Sequence, residues 1–234
     1  MESSWNASIK GEGLQYLDIE LLPGGKIQAD AGAMIYSDGR IPVQAASNGG
    51  IWGAIKRGIG GGATFFLQTI TNEGAEPRHV TFSSSHGGQI VSINLDDLKG
   101  ELILNGNAFL AGIGDFEFDI YRVKGLTGWI ASSGPVMQRL TGSGQIWVQA
   151  TGAMIERTLS ESDSIVVNAG ALLAFDSQAE YEGVYKGVGS MLLNQRIFLG
   201  RLRGPGKVWM QTASLDKTAA ALIPYLPVQN RTGN

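Results

Sequence analysis

An all-β chain built from three copies of one small module is what this sequence predicts, and three observations carry the prediction. Glycine supplies 34 of 234 residues without a Gly-X-Y period, which suits many tight turns between short strands. Several segments are rich in β-branched and aromatic residues that partly alternate with polar ones. Two short phrases also recur three times, always in the same order.

The strands come first. LQYLDIEL (14–21), HVTFSSS (79–85), QIVSINL (89–95), FEFDIYRV (116–123) and QIWVQATG (145–152) have strand composition and partial alternation. Pro23-Gly24-Gly25, Asp38-Gly39, His86-Gly87-Gly88 and Asn105-Gly106 supply turns between them. Helix is scarce. GIWGAIKRGI (50–59) spaces Ile51, Ile55 and Ile59 four apart, enough for a turn or two weakened by Gly53 and Gly58, and SMLLNQRIF (190–198) reads as its counterpart. LDKTAAALI (215–223) is the strongest helix, with alanines for propensity and Pro224 and Pro227 marking its end.

The repeat is legible in GGATFFLQT (61–69), GSGQIWVQA (142–150) and GPGKVWMQT (204–212). Aligned on their glutamines, Gln68, Gln149 and Gln211 each follow an aromatic residue two positions earlier, namely Phe66, Trp147 and Trp209. A second phrase lies upstream of each: IQADAGAMI (27–35), ILNGNAFLA (103–111) and IVVNAGALL (165–173). Spacings change in step, 76 then 62 residues for this phrase and 81 then 62 for the glutamine phrase. Three homologous units follow, at 1–73, 74–153 and 154–215 about a pseudo-threefold axis, with residues 216–234 as C-terminal helix and tail on one globular body.

In a strand, residues i and i+2 share a face, so each aromatic points the same way as its glutamine. Apolar residues occupy both faces, which predicts a strand covered on both sides. A buried amide then needs partners, since leaving it unpaired costs about 1–3 kcal/mol. Either each glutamine bonds neighbouring backbone, or the three amides face one another and line a pocket near the axis.

Composition excludes some chemistry. Hydrophobic residues reach 43%, enough to build a core, while charged residues are 17% and the net charge is −3. No basic stripe is present, so nucleic acid is a disfavoured partner. Cysteine is absent, which removes disulfides, thiolate metal sites and cysteine nucleophiles. The first residues lack an apolar signal core, and no apolar run approaches a spanning helix, so the expected location is cytoplasmic.

Candidate sites are few. His79 and His86 lack the His-x-His of a cupin-type metal centre. Ser83-Ser84-Ser85-His86 reads as a hairpin end rather than a nucleophile beside its base. The glycine-rich run 58–64 lacks the Gly-Lys-Ser/Thr of a phosphate loop. Asp115, Glu117 and Asp119 alternate with Phe116, Phe118 and Ile120, the pattern of a half-exposed strand. Ile51, Trp52 and Ile55, beside Lys56-Arg57, rank first as core or cap, second as an oligomer interface and third as a membrane contact. No catalytic, cofactor or metal residues are assigned.

The phrase PGGKIQADAGAMIYSDGRI (23–41), the Ala-Gly-Ala elements and the GPGKVWMQT strand resemble the altered-inheritance-of-mitochondria family, across residues 8 to 226. This resemblance implies a TRAP-like fold of three β-sandwich units of double-stranded β-helix type, with no catalytic motif to carry over. Its eukaryotic relatives are associated with mitochondrial inner-membrane organisation. The expectation is a non-catalytic structural or interaction protein, a homo-oligomeric scaffold without cofactor. The alternative is a small-ligand or RNA-binding module of the same fold.

Overall fold

The computed structural model describes residues 4–39, 43–45, 67–83, 86–123, 137–184, 199–222 and 225. Strands β1 (Trp5–Lys10), β2 (Tyr16–Leu21), β3 (Lys26–Asp30), β4 (Met34–Ser37) and β5 (Val43–Ala45) precede β6 (Leu67–Thr71) and β7 (Arg78–Phe82). The middle of the chain forms β8 (Ile90–Asn94), β9 (Glu101–Asn105) and two long strands, β10 (Phe109–Tyr121) and β11 (Met137–Gln149). The last third holds β12 (Met154–Leu159), β13 (Ser164–Asn168), β14 (Leu172–Asp176), β15 (Glu180–Val184), β16 (Leu199–Arg203) and β17 (Gly206–Gln211). Among the described residues one α-helix, α1 (Leu215–Leu222), follows where the alanine run predicts it.

One pairing scheme occurs three times. β2 and β4 flank β7, while β3 and β5 flank β6. In the middle, β8 and the first half of β10 flank the second half of β11; β9 and the rest of β10 flank its first half. β12 and β14 flank β17, while β13 and β15 flank β16. A register shift falls at the start of the matching strand each time, at Met34/Tyr36, Phe109/Ala111 and Leu172/Ala174.

β10 and β11 run unbroken where the outer thirds use separate strands. Gly114 (φ +146°), Gly142 (φ +136°) and Gly144 (φ +117°) lie at that point. A Cβ on any of them would run into the opposite strand's backbone, so only glycine lets the ladder bend there.

Two junctions connect the thirds by strand pairing. β10 lies antiparallel on β3, with Ala111 opposite Ala29, and β14 lies on β9, with Ala174 opposite Leu104. All four residues are fully buried. The cores interlock as well. Trp147 of β11 packs into the cluster of Leu17, Ile19, Ile27, Ile70, Val80 and Phe82 in the first third. Trp209 of β17 packs with Leu102, Leu104, Phe109 and Leu140 in the middle third. Burying rings of this size against apolar neighbours contributes about 1.5–3 kcal/mol each or more.

Phe116 and Phe118 are buried while Asp115, Glu117 and Asp119 are exposed, as the alternation in β10 predicts. The short helices read at 50–59 and 190–198, with Phe66, Ile51, Trp52 and Ile55, lie outside the described residues.

Candidate functional site

The repeated glutamines are the residues for which the sequence poses a chemical question. Gln211 closes β17 and is satisfied at both ends. Its Nε2 donates to the Gly170 carbonyl (2.9 Å) and its Oε1 accepts from the Thr151 backbone N–H (2.9 Å). Gly170 lies in a 3₁₀ turn, Ala169–Ala171, held by Asn168, whose Oδ1 accepts the Gly170 N–H at 2.9 Å. One amide thereby ties the link between the middle and last thirds to the turn that starts β14.

Gln149 closes β11, but its Oε1 is buried with no partner among the described residues. Gln68 is buried on β6 and donates to the Asp30 carbonyl at 3.3 Å. Backbone bonding is therefore the arrangement observed for Gln68 and Gln211.

Matching Gln68 to Gln149 and Gln211 is corrected by the ladders. Gln149 pairs with Ile90 of β8, and Gln211 with Met154 of β12. Gln68 instead pairs with Ala29 and Ala45. Its counterparts by pairing are Gln138, opposite Leu104, and Gly200, opposite Val167. The position matching Gln149 and Gln211 is Ser83: its N–H donates to the Ala33 carbonyl as Gln149 N–H donates to Ala108. An aromatic-x-Gln phrase suits any strand covered on both faces, so composition cannot tell two such strands apart. In the same register Thr81 matches Trp147 and Trp209. Thr81 lies directly opposite Asp18 and Trp209 opposite Glu156; both donate to that carboxylate, Thr81 Oγ1 at 3.1 Å and Trp209 Nε1 at 2.7 Å.

Two further amides lack any advance signal beyond standing one residue before a strand. Gln15 Oε1 accepts from the N–H of Ile90, first residue of β8, at 2.7 Å. Gln89 Oε1 accepts from the N–H of Met154, first residue of β12, at 2.6 Å. Each reaches from its own third into the next.

Charged chemistry concentrates on Asp18. Lys10 Nζ donates to it at 2.6 Å, Thr81 Oγ1 at 3.1 Å, and the His79 Nδ1 lies 3.4 Å away. Burial alone would push this carboxyl up, but hydrogen bonds from Lys10, His79 and Thr81 outweigh it and hold it below the usual range. The same bond raises Lys10. Asp30 moves the other way: burial raises its carboxyl, opposed by the N–H groups of Ala31 and Gly32. Burial also pushes the Tyr181 hydroxyl up to about 12. His79 sits on β7 and His86 in the turn before β8, and among the described residues no three His, Cys, Asp or Glu are placed to hold a metal.

Comparisons with known proteins place the chain. It is 24% identical over 228 residues to an uncharacterized protein of Streptococcus pyogenes serotype M6, covering 92% of this chain and 88% of the relative. The crystal structure of protein SPYM3_0169 from Streptococcus pyogenes has the same fold, with TM-score 0.76 and 21% identity, covering 95% of this chain and all of that one. No helix among the described residues is long and apolar enough to cross a membrane. A family model described as mitochondrial biogenesis AIM24 matches residues 7–213, nearly the length over which the three pairing schemes run, and the chain belongs to that family.

Proposed function

We propose that this protein is a non-catalytic structural or interaction protein of the cytoplasm that works as an oligomeric scaffold. Its body is three modules of double-stranded β-helix, TRAP-like type, repeated in tandem; the pseudo-threefold axis is not part of this reading, because among the described residues β4 and β13, the two edges that would close it, do not pair with each other. The recurring pairing scheme supports this reading and moves the first boundary: β7 pairs with β2 and β4, so the modules span about 4–83, 86–150 and 154–212.

The observation that carries the scaffold role is the use made of polar side chains. Gln15, Gln89, Asn105 and Gln211 all bond the main chain of another module or of a link between modules. Such groups hold modules in register. Family membership supplies no activity to set against this.

Native mass spectrometry of protein purified from its own cells tests it. The expected spectrum shows multiples of the 24.8 kDa chain with nothing else retained. A single chain carrying a stoichiometric small molecule or RNA would replace this reading with the ligand-binding one.

A further inference from the structure

The two internal junctions use one kind of edge on each side. In each, the strand that carries the register shift (β10, β14) lies on the corresponding edge strand of the preceding module (β3, β9). Three modules own three edges of each kind, and two of each are consumed. The remaining pair is β4 in the first module and β13 in the last. Among the described residues β4 pairs only with β7, and β13 only with β16.

Exposure sets these two edges apart from the four that are paired. Ile35 and Tyr36 are 58% and 50% exposed, whereas their counterparts Leu110, Ala111, Leu173 and Ala174 are fully or almost fully buried. Val166 on β13 is 53% exposed, while its counterpart Ile103 on β9 is fully buried. Bare strand edges carrying apolar side chains are templates for another chain.

We propose that β4 of one copy pairs antiparallel with β13 of a second copy, in the register of the internal junctions. This rests on the scaffold reading and names its contact. Tyr36 then lies opposite Val167 and Ser37 opposite Val166, as Ala174 and Phe175 lie opposite Leu104 and Ile103. Asn168 occupies the place of Asn105, whose Nδ2 donates to the Leu172 carbonyl. By the same geometry the Asn168 amide donates to the Met34 carbonyl of the second copy. The contact is head to tail, so it closes a ring if the rotation per copy allows and otherwise propagates. It is also weaker than the internal junctions. Thr81, held by Asp18, stands where they insert Trp147 and Trp209, so less apolar surface is buried.

Cysteine cross-linking tests this directly, because the native chain has none. Ser37→Cys and Val166→Cys are close in size to the native residues and are prepared as separate proteins, then mixed and oxidised. A two-chain disulfide species in the mixture, absent from either protein alone, is expected. No cross-link in the mixture, or an equal one with Ser37→Cys alone, overturns the proposal. So does a Ser37→Cys/Val166→Cys chain that oxidises wholly at single-chain mass, since the edges then meet within one copy. Sedimentation of Tyr36→Lys provides the second arm: the oligomer is expected to fall to single chains with the melting temperature kept. If the oligomer persists, the edge contact is wrong and the scaffold stands; if the wild-type chain never associates, both fall.

Discussion

Asn105 donates its side-chain amide to the carbonyl of Leu172 across 3.0 Å, fastening the end of β9 to the start of β14. The bond lies just beyond the last paired residues of a short ladder, Ala174 opposite Leu104. Asn105→Ala is expected to cost about 1–2 kcal/mol, read as a lower denaturant midpoint with an unchanged m-value.

Asp30 stands at the position of Asn105 and Asn168 in the pairing scheme, with a carboxylate in place of an amide. Its folded pKa is raised, so ionisation opposes folding: stability falls as pH rises from the unfolded value of 3.8 through the folded one. Asp30→Asn keeps the acceptor for the Ala31 and Gly32 N–H groups and removes the charge. It is expected to be more stable than wild type at neutral pH and to lose that advantage well below pH 3.8, measured by urea unfolding across pH.

Asp18 behaves oppositely. Its folded pKa is depressed, so its contribution is complete above 3.8 and disappears as pH falls through the folded value. Asp18→Asn is expected to lose about 1–3 kcal/mol at neutral pH, because Lys10 and Thr81 lose a charged acceptor. Below the folded pKa the difference from wild type should shrink, and a gap that stays constant down the acid limb would refute the assignment.

The three glutamines should separate on mutation. Gln211→Met strips partners from Thr151 N–H and Gly170 carbonyl and is expected to cost about 2–3 kcal/mol. Gln68→Met removes one long bond and should cost about 1 kcal/mol or less. Gln149→Met removes a buried acceptor without a partner and is expected to be neutral or stabilising. Equal losses in thermal melts at all three sites would restore them to one repeated position.

Two glycines should differ as sharply. A Cβ at Gly200 would overlap the Tyr181 ring, so Gly200→Ala must displace a buried aromatic and is expected to cost about 1–3 kcal/mol. Gly32 sits in the recurring Ala-Gly-Ala phrase, yet a Cβ there meets nothing within 4 Å. Gly32→Ala should change the melting temperature little.

Much of the architecture is legible in the sequence. Alternation located β2, β7, β8 and the second half of β10, and the alanine run located α1. The alternation around Trp147 also announced a strand buried on both faces. The continuous β10 and β11 were less visible, because the glycines that let them bend look like turn residues when read locally.

Sequence by itself determined that the chain is β-rich, threefold repetitive and free of cysteine chemistry, because these depend on residue type and short spacing. Tertiary structure alone decided which copies correspond. Gln68 shares its phrase with Gln149 and Gln211, yet its strand pairs with β3 and β5 rather than with the strands flanking β7. The physical reason is that side-chain alternation has a period of two and reports only which face is buried. Which segment lies along each edge is settled by backbone hydrogen bonds between residues far apart in the chain. Those bonds consumed four junction edges within the molecule and, among the described residues, left β4 and β13 each paired on one side alone.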